Sequence, residues 1–285
     1  MAKRSNFTTL FIEKLSELRL GVRKKQLESI GMEAAENPKD FLKNIERYAV
    51  EGDSTYYELL ERALQSLQRQ GKSSLAKEIA LLDIKNEKIL VGILKVCVMK
   101  LRCSISSYIK DYHINNQKNL IELATISPIY TREWISMYIQ DYGILDPKGL
   151  VHIAKMTASR NPREISEYIQ NYGIQDQAAL IEIAKMAAAQ DGRGLSEHIK
   201  NYGIQDKAAL LEIACIAATQ NGHGLSAFVQ NYEFLDSESL IKLAKLAEAC
   251  NGMGVSEYIQ NYGISDQAAL MDIALIAAEK NGWGI

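Results

Sequence analysis

The chain has 285 residues, of which 47% are hydrophobic, 24% charged and 7% aromatic. Its 33 Lys and Arg against 35 Asp and Glu leave a formal charge of −2, which gives no basic signature of the kind that duplex nucleic acid or acidic lipid usually demands. Only 4 prolines and few β-branched runs point to a helical chain, and no catalytic motif emerges.

The first five residues, Met1 to Ser5, are basic, but Asn6 to Ser16 carries polar and charged side chains where a signal peptide has its apolar core. Phe7 to Leu20 and Val22 to Ala35 read as a helix pair that stops at Glu36-Asn37-Pro38. Lys39 to Val50 and Ser54 to Gln70 read as a second, degenerate pair, with Ile45, Tyr48, Val50, Tyr56, Leu59 and Ala63 as its apolar face. Residues 1–74 are therefore expected to form an N-terminal helical cap with a divergent repeat, with an independent helical domain as the alternative.

From Leu75 a period of 30 runs unbroken through seven copies, which begin at Leu75, Ile105, Ile135, Ile165, Leu195, Leu225 and Val255. Each copy reads as two helices. Helix A carries serine at the second position (Ser106 to Ser256), expected as an N-cap, and apolar residues at the first, fifth and eighth, such as Leu195, Ile199 and Tyr202. Gly143, Gly173, Gly203 and Gly263 suit a left-handed residue ending that helix, while His113 and Glu233 predict more strained or differently shaped turns. Helix B is announced by Asn or Asp at the twelfth position: Asn86, Asn116, Asp146, Asp176, Asp206, Asp236 and Asp266. Leucine recurs four residues later, then small residues such as Ala184, Ala187 and Ala188 that let helices approach closely. A Gly-x-Gly turn, as at Gly192 and Gly194, is expected to close the copy.

A 30-residue helical hairpin cannot bury its apolar face alone, whereas stacked copies can. The expected fold class is therefore all-α, a right-handed α-solenoid of 30-residue helix-turn-helix repeats spanning residues 75–285. Ile285 would be the first residue of an eighth copy, so the chain is expected to stop within a longer protein. Such two-helix repeats resemble the tetratricopeptide, pentatricopeptide and TAL-like solenoids in general architecture. The period is shorter here and the tetratricopeptide W-x-x-L-G-x-x-Y pattern is absent, so no family residue is carried over. The element Asn171 to Ala184, repeated at Asn201 to Ala214, also resembles repeats in secreted effectors of intracellular bacteria, which implies a role in binding host proteins.

Two aromatic columns stand out on helix A. Tyr112, Tyr142, Tyr172, Tyr202, Tyr232 and Tyr262 form an invariant one, expected to pack between neighbouring hairpins. Tyr108, Tyr138, Tyr168, His198, Phe228 and Tyr258 form a variable one four residues earlier, where core packing and partner contact compete evenly. Asn171, Asn201, Asn231 and Asn261 precede the invariant tyrosines. An amide both donates and accepts, which matches the main chain of an extended peptide, although such residues also satisfy their own turn. The twenty-ninth position varies most among otherwise similar copies: Arg163, Arg193, His223, Met253, Trp283. It reads either as an unconstrained loop or as a readout of a modular ligand.

Chemistry is sparse. His113, His152, His198 and His223 share no metal-ligand spacing with Cys97, Cys103, Cys215 or Cys250. Cys215 and Cys250 lie on apolar stretches of helix B and are expected to be buried thiols; Glu182 and Glu212 read as a solvated face. No metal, cofactor or catalytic residue is expected. The chain thus reads as a non-enzymatic scaffold binding a protein or extended peptide along its helix A surface, in the cytoplasm or, as an effector, in a host cytosol, without inserting in a membrane. The alternatives are a modular nucleic-acid binder, which the array's net −4 opposes, or the targeting arm of an enzyme whose catalytic domain lies beyond residue 285.

Overall fold

The computed structural model of the chain describes residues 29–45, 54–71, 73–131, 134–233, 236–251 and 254–281. Every regular element among them is α-helix or 3-10 helix, and no strand occurs among the described residues. The chain divides into two compact units, Met1–Ile114 and Asn115–Ile285.

In the first unit, residues 29–36 are helical and Asn37 interrupts them. Pro38 then opens helix α1 (Pro38–Lys43), the position where a missing N–H costs nothing. Helix α2 (Ser54–Gln70) has the expected bounds and buries Leu59, Leu60, Ala63, Leu64 and Leu67 as one stripe. Phe7–Leu20, the first half of Val22–Ala35 and residues 46–53 lie outside the described residues. In the first copy, helix A (Leu75–Ala80) is capped by Ser74 and helix B (Glu87–Leu101) by Asn86. Glu78, on this helix A, is buried. The Ser73 hydroxyl (2.6 Å) and the Lys39 ammonium (2.9 Å) hold its carboxyl below the ordinary carboxylate range.

The second unit repeats one local design. Helix B occupies Gln117–Tyr130, Pro147–Arg160, Gln177–Gln190, the first part of Lys207–Phe228, Ser237–Asn251 and Gln267–Asn281. Each starts where the side chain at the twelfth position accepts a backbone N–H, as Asp176 does from Ala178 at 2.9 Å. Helix A begins as α-helix and tightens to 3-10 at its end, as in Pro162–Tyr168 followed by Ile169–Tyr172. Gly143, Gly173, Gly203 and Gly263 then stop it at φ near +60, where a side chain would be strained. The two exceptions part company, each in its own unit: His113 accepts φ +52, whereas beside Glu233 the 3-10 turn stops at Asn231 and Tyr232 leaves at φ −90.

Two expectations about helix A are corrected. Serine at the second position is not its N-cap in Pro162–Tyr168 or Gly192–His198, because the helix has already begun four residues earlier. The break falls at Asn161, Asp191 and Asn221 (φ −131, −146 and −153), and the last two cap by accepting from Gly194 N at 2.9 Å and Gly224 N at 2.7 Å. The Gly-x-Gly pair therefore opens helix A instead of closing helix B. Its glycines answer to crowding: a Cβ on Gly192 would stand 2.5 Å from the Ala217 carbonyl oxygen of the next copy.

Consecutive helices pack against their neighbours, A on A and B on B, an arrangement compatible with a helical repeat. Ile165, Ile169, Tyr172, Leu180, Ile183, Ala184, Ala187 and Ala188 of one copy are buried, and the same positions are buried in the next. Small residues at Ala184 and Ala187 let the helix B backbones meet.

Candidate functional site

The recurrent side chains first account for cohesion. Tyr172, Tyr202, Tyr232 and Tyr262 are each 2% exposed, and their hydroxyls meet Ser136, Ser166, Ser196 and Ser226 of the preceding copy at 2.9–3.2 Å. The invariant column is thus packing, as expected. Ser166 Oγ also donates to the Pro162 carbonyl (2.8 Å), and Ser196 and Ser226 do the same to Gly192 and Gly222. Burial pushes all four phenols up, Tyr262 to about 12, with the serine contacts pulling the other way.

The asparagine column is likewise engaged within the chain. Asn171 Nδ2 donates to the Ser136 carbonyl at 3.0 Å. Asn201, Asn231 and Asn261 each donate to two successive carbonyls of the preceding helix A, at 3.0–3.2 Å. The acceptor is the neighbouring copy, not the residue's own turn. On the helix B side, Lys155 meets Glu182 (2.6 Å), Lys185 meets Glu212 (2.6 Å) and Lys245 meets Asp272 (2.7 Å), so the recurrent acids belong to exposed ion pairs between copies. Here Cys215 takes the lysine's place and Lys242 the acid's. Burial pushes the Cys215 thiol up and Lys242 draws it down. All four cysteines are free; Cys215 is half-buried, and Cys250, expected to be buried, is exposed because its helix position carries Gln190 and Gln220 elsewhere, both at the solvent face.

What remains available is the variable column. Tyr138, Tyr168, His198, Phe228 and Tyr258 are all half-buried in the second unit, as Tyr108 is in the first. The variable twenty-ninth position comes down on this column from the preceding helix A. The Arg193 guanidinium lies 6.0 Å from the Phe228 ring centroid. The His223 ring meets Tyr258 edge-on at 5.2 Å, with Nδ1 4.0 Å from Glu257 Oε2. Arg163 instead reaches Glu197 at 3.2 Å. Met253 and Trp283 lie outside the described residues.

Two contributors escaped the sequence reading. Trp134, 47% exposed, stands edge-on to Tyr168 at 6.1 Å. Gly194 and Gly224 make room for the arginine stems: a Cβ on Gly224 would lie 2.4 Å from Arg193 Cβ. The signal was a register of 35 residues between the two variable positions, visible only once neighbouring copies are laid side by side. The carboxylates of Glu167 and Glu257, one residue before Tyr168 and Tyr258, raise the phenols above their ordinary range.

No known family, characterised protein or solved structure matches this chain. The likeness to helical-repeat families rests on helices packing against neighbours. Among the described residues, no helix is long and apolar enough to cross a membrane, and no three His, Cys, Asp or Glu side chains converge as a metal-binding group.

Proposed function

We propose that the chain is a right-handed α-solenoid of 30-residue helical hairpins, capped at its N-terminus by residues 1–74, and that it binds a protein or extended peptide without catalysis along the exposed edge of helix A. The hairpin reading is supported by bonds that recur at fixed separations: tyrosine to serine 36 residues apart, asparagine to carbonyl 35 apart, lysine to acid 27 apart. A bond repeating at one period is what stacked identical units produce.

One observation carries the binding reading. The two positions that vary between otherwise similar copies converge on one exposed strip, Arg193 on Phe228 and His223 on Tyr258, above a framework whose other side chains are already bonded to one another. Structural positions repeat because the stack demands it; positions released from that demand are free to serve a partner. Half-exposed aromatics beside cations form the composition that protein interfaces favour.

The test compares partner recovery by the wild-type chain with that by a Tyr168→Ala, Phe228→Ala, Tyr258→Ala variant whose helicity and melting are unchanged. Loss of recovered partners is expected. Equal recovery would place binding elsewhere on the molecule.

A further inference from the structure

The exposed strip is not chemically uniform, and its charge pattern singles out one side chain. On the following helix A, the third position of the repeat carries Glu197 opposite Arg163 and Glu257 opposite His223. Opposite Arg193 that position is Ala227. Arg193 therefore has no carboxylate partner among the described residues, while its exposed guanidinium stands over Phe228.

Its placement is built into the backbone. Gly224 leaves the space that the Arg193 stem occupies, since even a methyl group there would come within 2.4 Å of Arg193 Cβ. A guanidinium stacked against a ring is ordered before any partner arrives and keeps its planar N–H edge for hydrogen bonding. That edge fits a carboxylate through two parallel bonds. An aromatic pair, His223 with Tyr258, stands at the next joint, and another, Trp134 with Tyr168, two joints before, beyond the Arg163–Glu197 ion pair.

We propose that Arg193, seated on Phe228, is an acceptor site for an Asp or Glu side chain in an extended segment of a partner protein. This rests on the peptide-binding reading above and adds the chemistry of the partner. Packed helices lie about 8–10 Å apart and an extended chain rises about 3.3 Å per residue. Successive copies are thus met by about every third residue of the segment. The acid at Arg193 is flanked by an aromatic or large apolar residue about three residues away on the Tyr258 side and about six away on the Tyr168 side. A phosphate could occupy the same guanidinium, but the array's net −4 disfavours a polyanion.

A phage library of random dodecapeptides selected on the full chain supplies the probe, followed by fluorescence anisotropy with labelled synthetic copies of enriched sequences. Enriched peptides are expected to carry Asp or Glu with apolar residues at that spacing. Arg193→Gln, a substitution at an exposed position that leaves the melting curve unchanged, weakens binding about tenfold. Arg193→Lys weakens it less, keeping the charge without the fork. Changing the peptide's acid to its amide costs the wild type a similar factor and costs Arg193→Gln nothing further. Peptides that bind both proteins equally, or that carry no acid, overturn the acid site and leave the peptide-binding reading standing. Failure to enrich any peptide above an unrelated helical protein overturns both. Labelled oligouridylate that binds more tightly than every selected peptide and is lost in Arg193→Gln assigns the site to nucleic acid instead.

Discussion

The hydroxyl pair Ser166–Tyr202 makes an asymmetric prediction. Ser166 has one hydrogen, and its 2.8 Å bond to the Pro162 carbonyl uses it. The 3.2 Å contact with Tyr202 must then have the phenol donating. Tyr202→Phe removes a donor and leaves Ser166 still bonded, so the loss is that of one ordinary buried bond, about 1 kcal/mol. Ser166→Ala removes the same single oxygen yet strands the phenol hydrogen in a site 2% exposed to water. An orphaned buried donor costs about 1–3 kcal/mol, so the serine change should be the more damaging. The double variant should recover most of the difference, because no donor is left to strand. Urea unfolding followed by circular dichroism measures all three, and an unchanged denaturant slope is required before the midpoints are compared. In a chain of this size the excess would lower the melting temperature by about 2–4 °C per kcal/mol. Tyr202→Phe proving costlier than Ser166→Ala, or additive losses in the double variant, would refute the assigned direction of the bond.

Further outcomes follow from other sites. Glu248 is fully buried, one oxygen accepting from Val255 N at 3.2 Å and the other unpartnered among the described residues, and burial raises its carboxyl above the ordinary 4.5. A raised folded-state value means stability is fully present below the unfolded value and is lost as pH rises toward the folded one. Glu248→Gln should therefore stabilise by on the order of 1 kcal/mol at pH 8 and by little at pH 4; equal effects at both, read from urea midpoints, would contradict it. Gly203→Ala should cost about 1 kcal/mol through its φ of +60 alone, since nothing lies near the added methyl group, whereas Gly192→Ala should cost at least about 1–3 kcal/mol because it collides with the Ala217 carbonyl. Thermal melts of the two variants test that order. The Lys185–Glu212 pair joins a half-buried lysine to an exposed carboxylate at the surface, so a double-mutant cycle should return less than about 1 kcal/mol, much reduced in 1 M salt.

The all-helical class and the helix B starts were legible in the sequence because each depends on residues close together: Asp176 caps its own first turn, and Gly173 ends its own helix. The buried tyrosine column was legible for the same reason, as spacing alone puts Ile169 and Tyr172 on one face. The serines were misread because a short hydroxyl residue looks alike as a cap and as a bonding partner in a helix interior. What distinguished them was Tyr202, 36 residues away. The asparagines looked available to a ligand for the same reason: their acceptors, such as the Ser166 and Glu167 carbonyls, belong to another copy. Local chemistry reads out of a sequence directly; bonds between copies appear only when the copies are placed side by side.

The ion pairs on helix B bear on how the array can change length. Excising residues 165–194 would bring Lys155 opposite Glu212, and the joint would close as before. Excising residues 195–224 would bring Lys185 opposite Lys242, two like charges where the native joint has Cys215 facing that lysine. Loss of a whole unit would thus leave the charges matched at one joint and opposed at the next, a difference of less than about 1 kcal/mol on a solvent-facing surface.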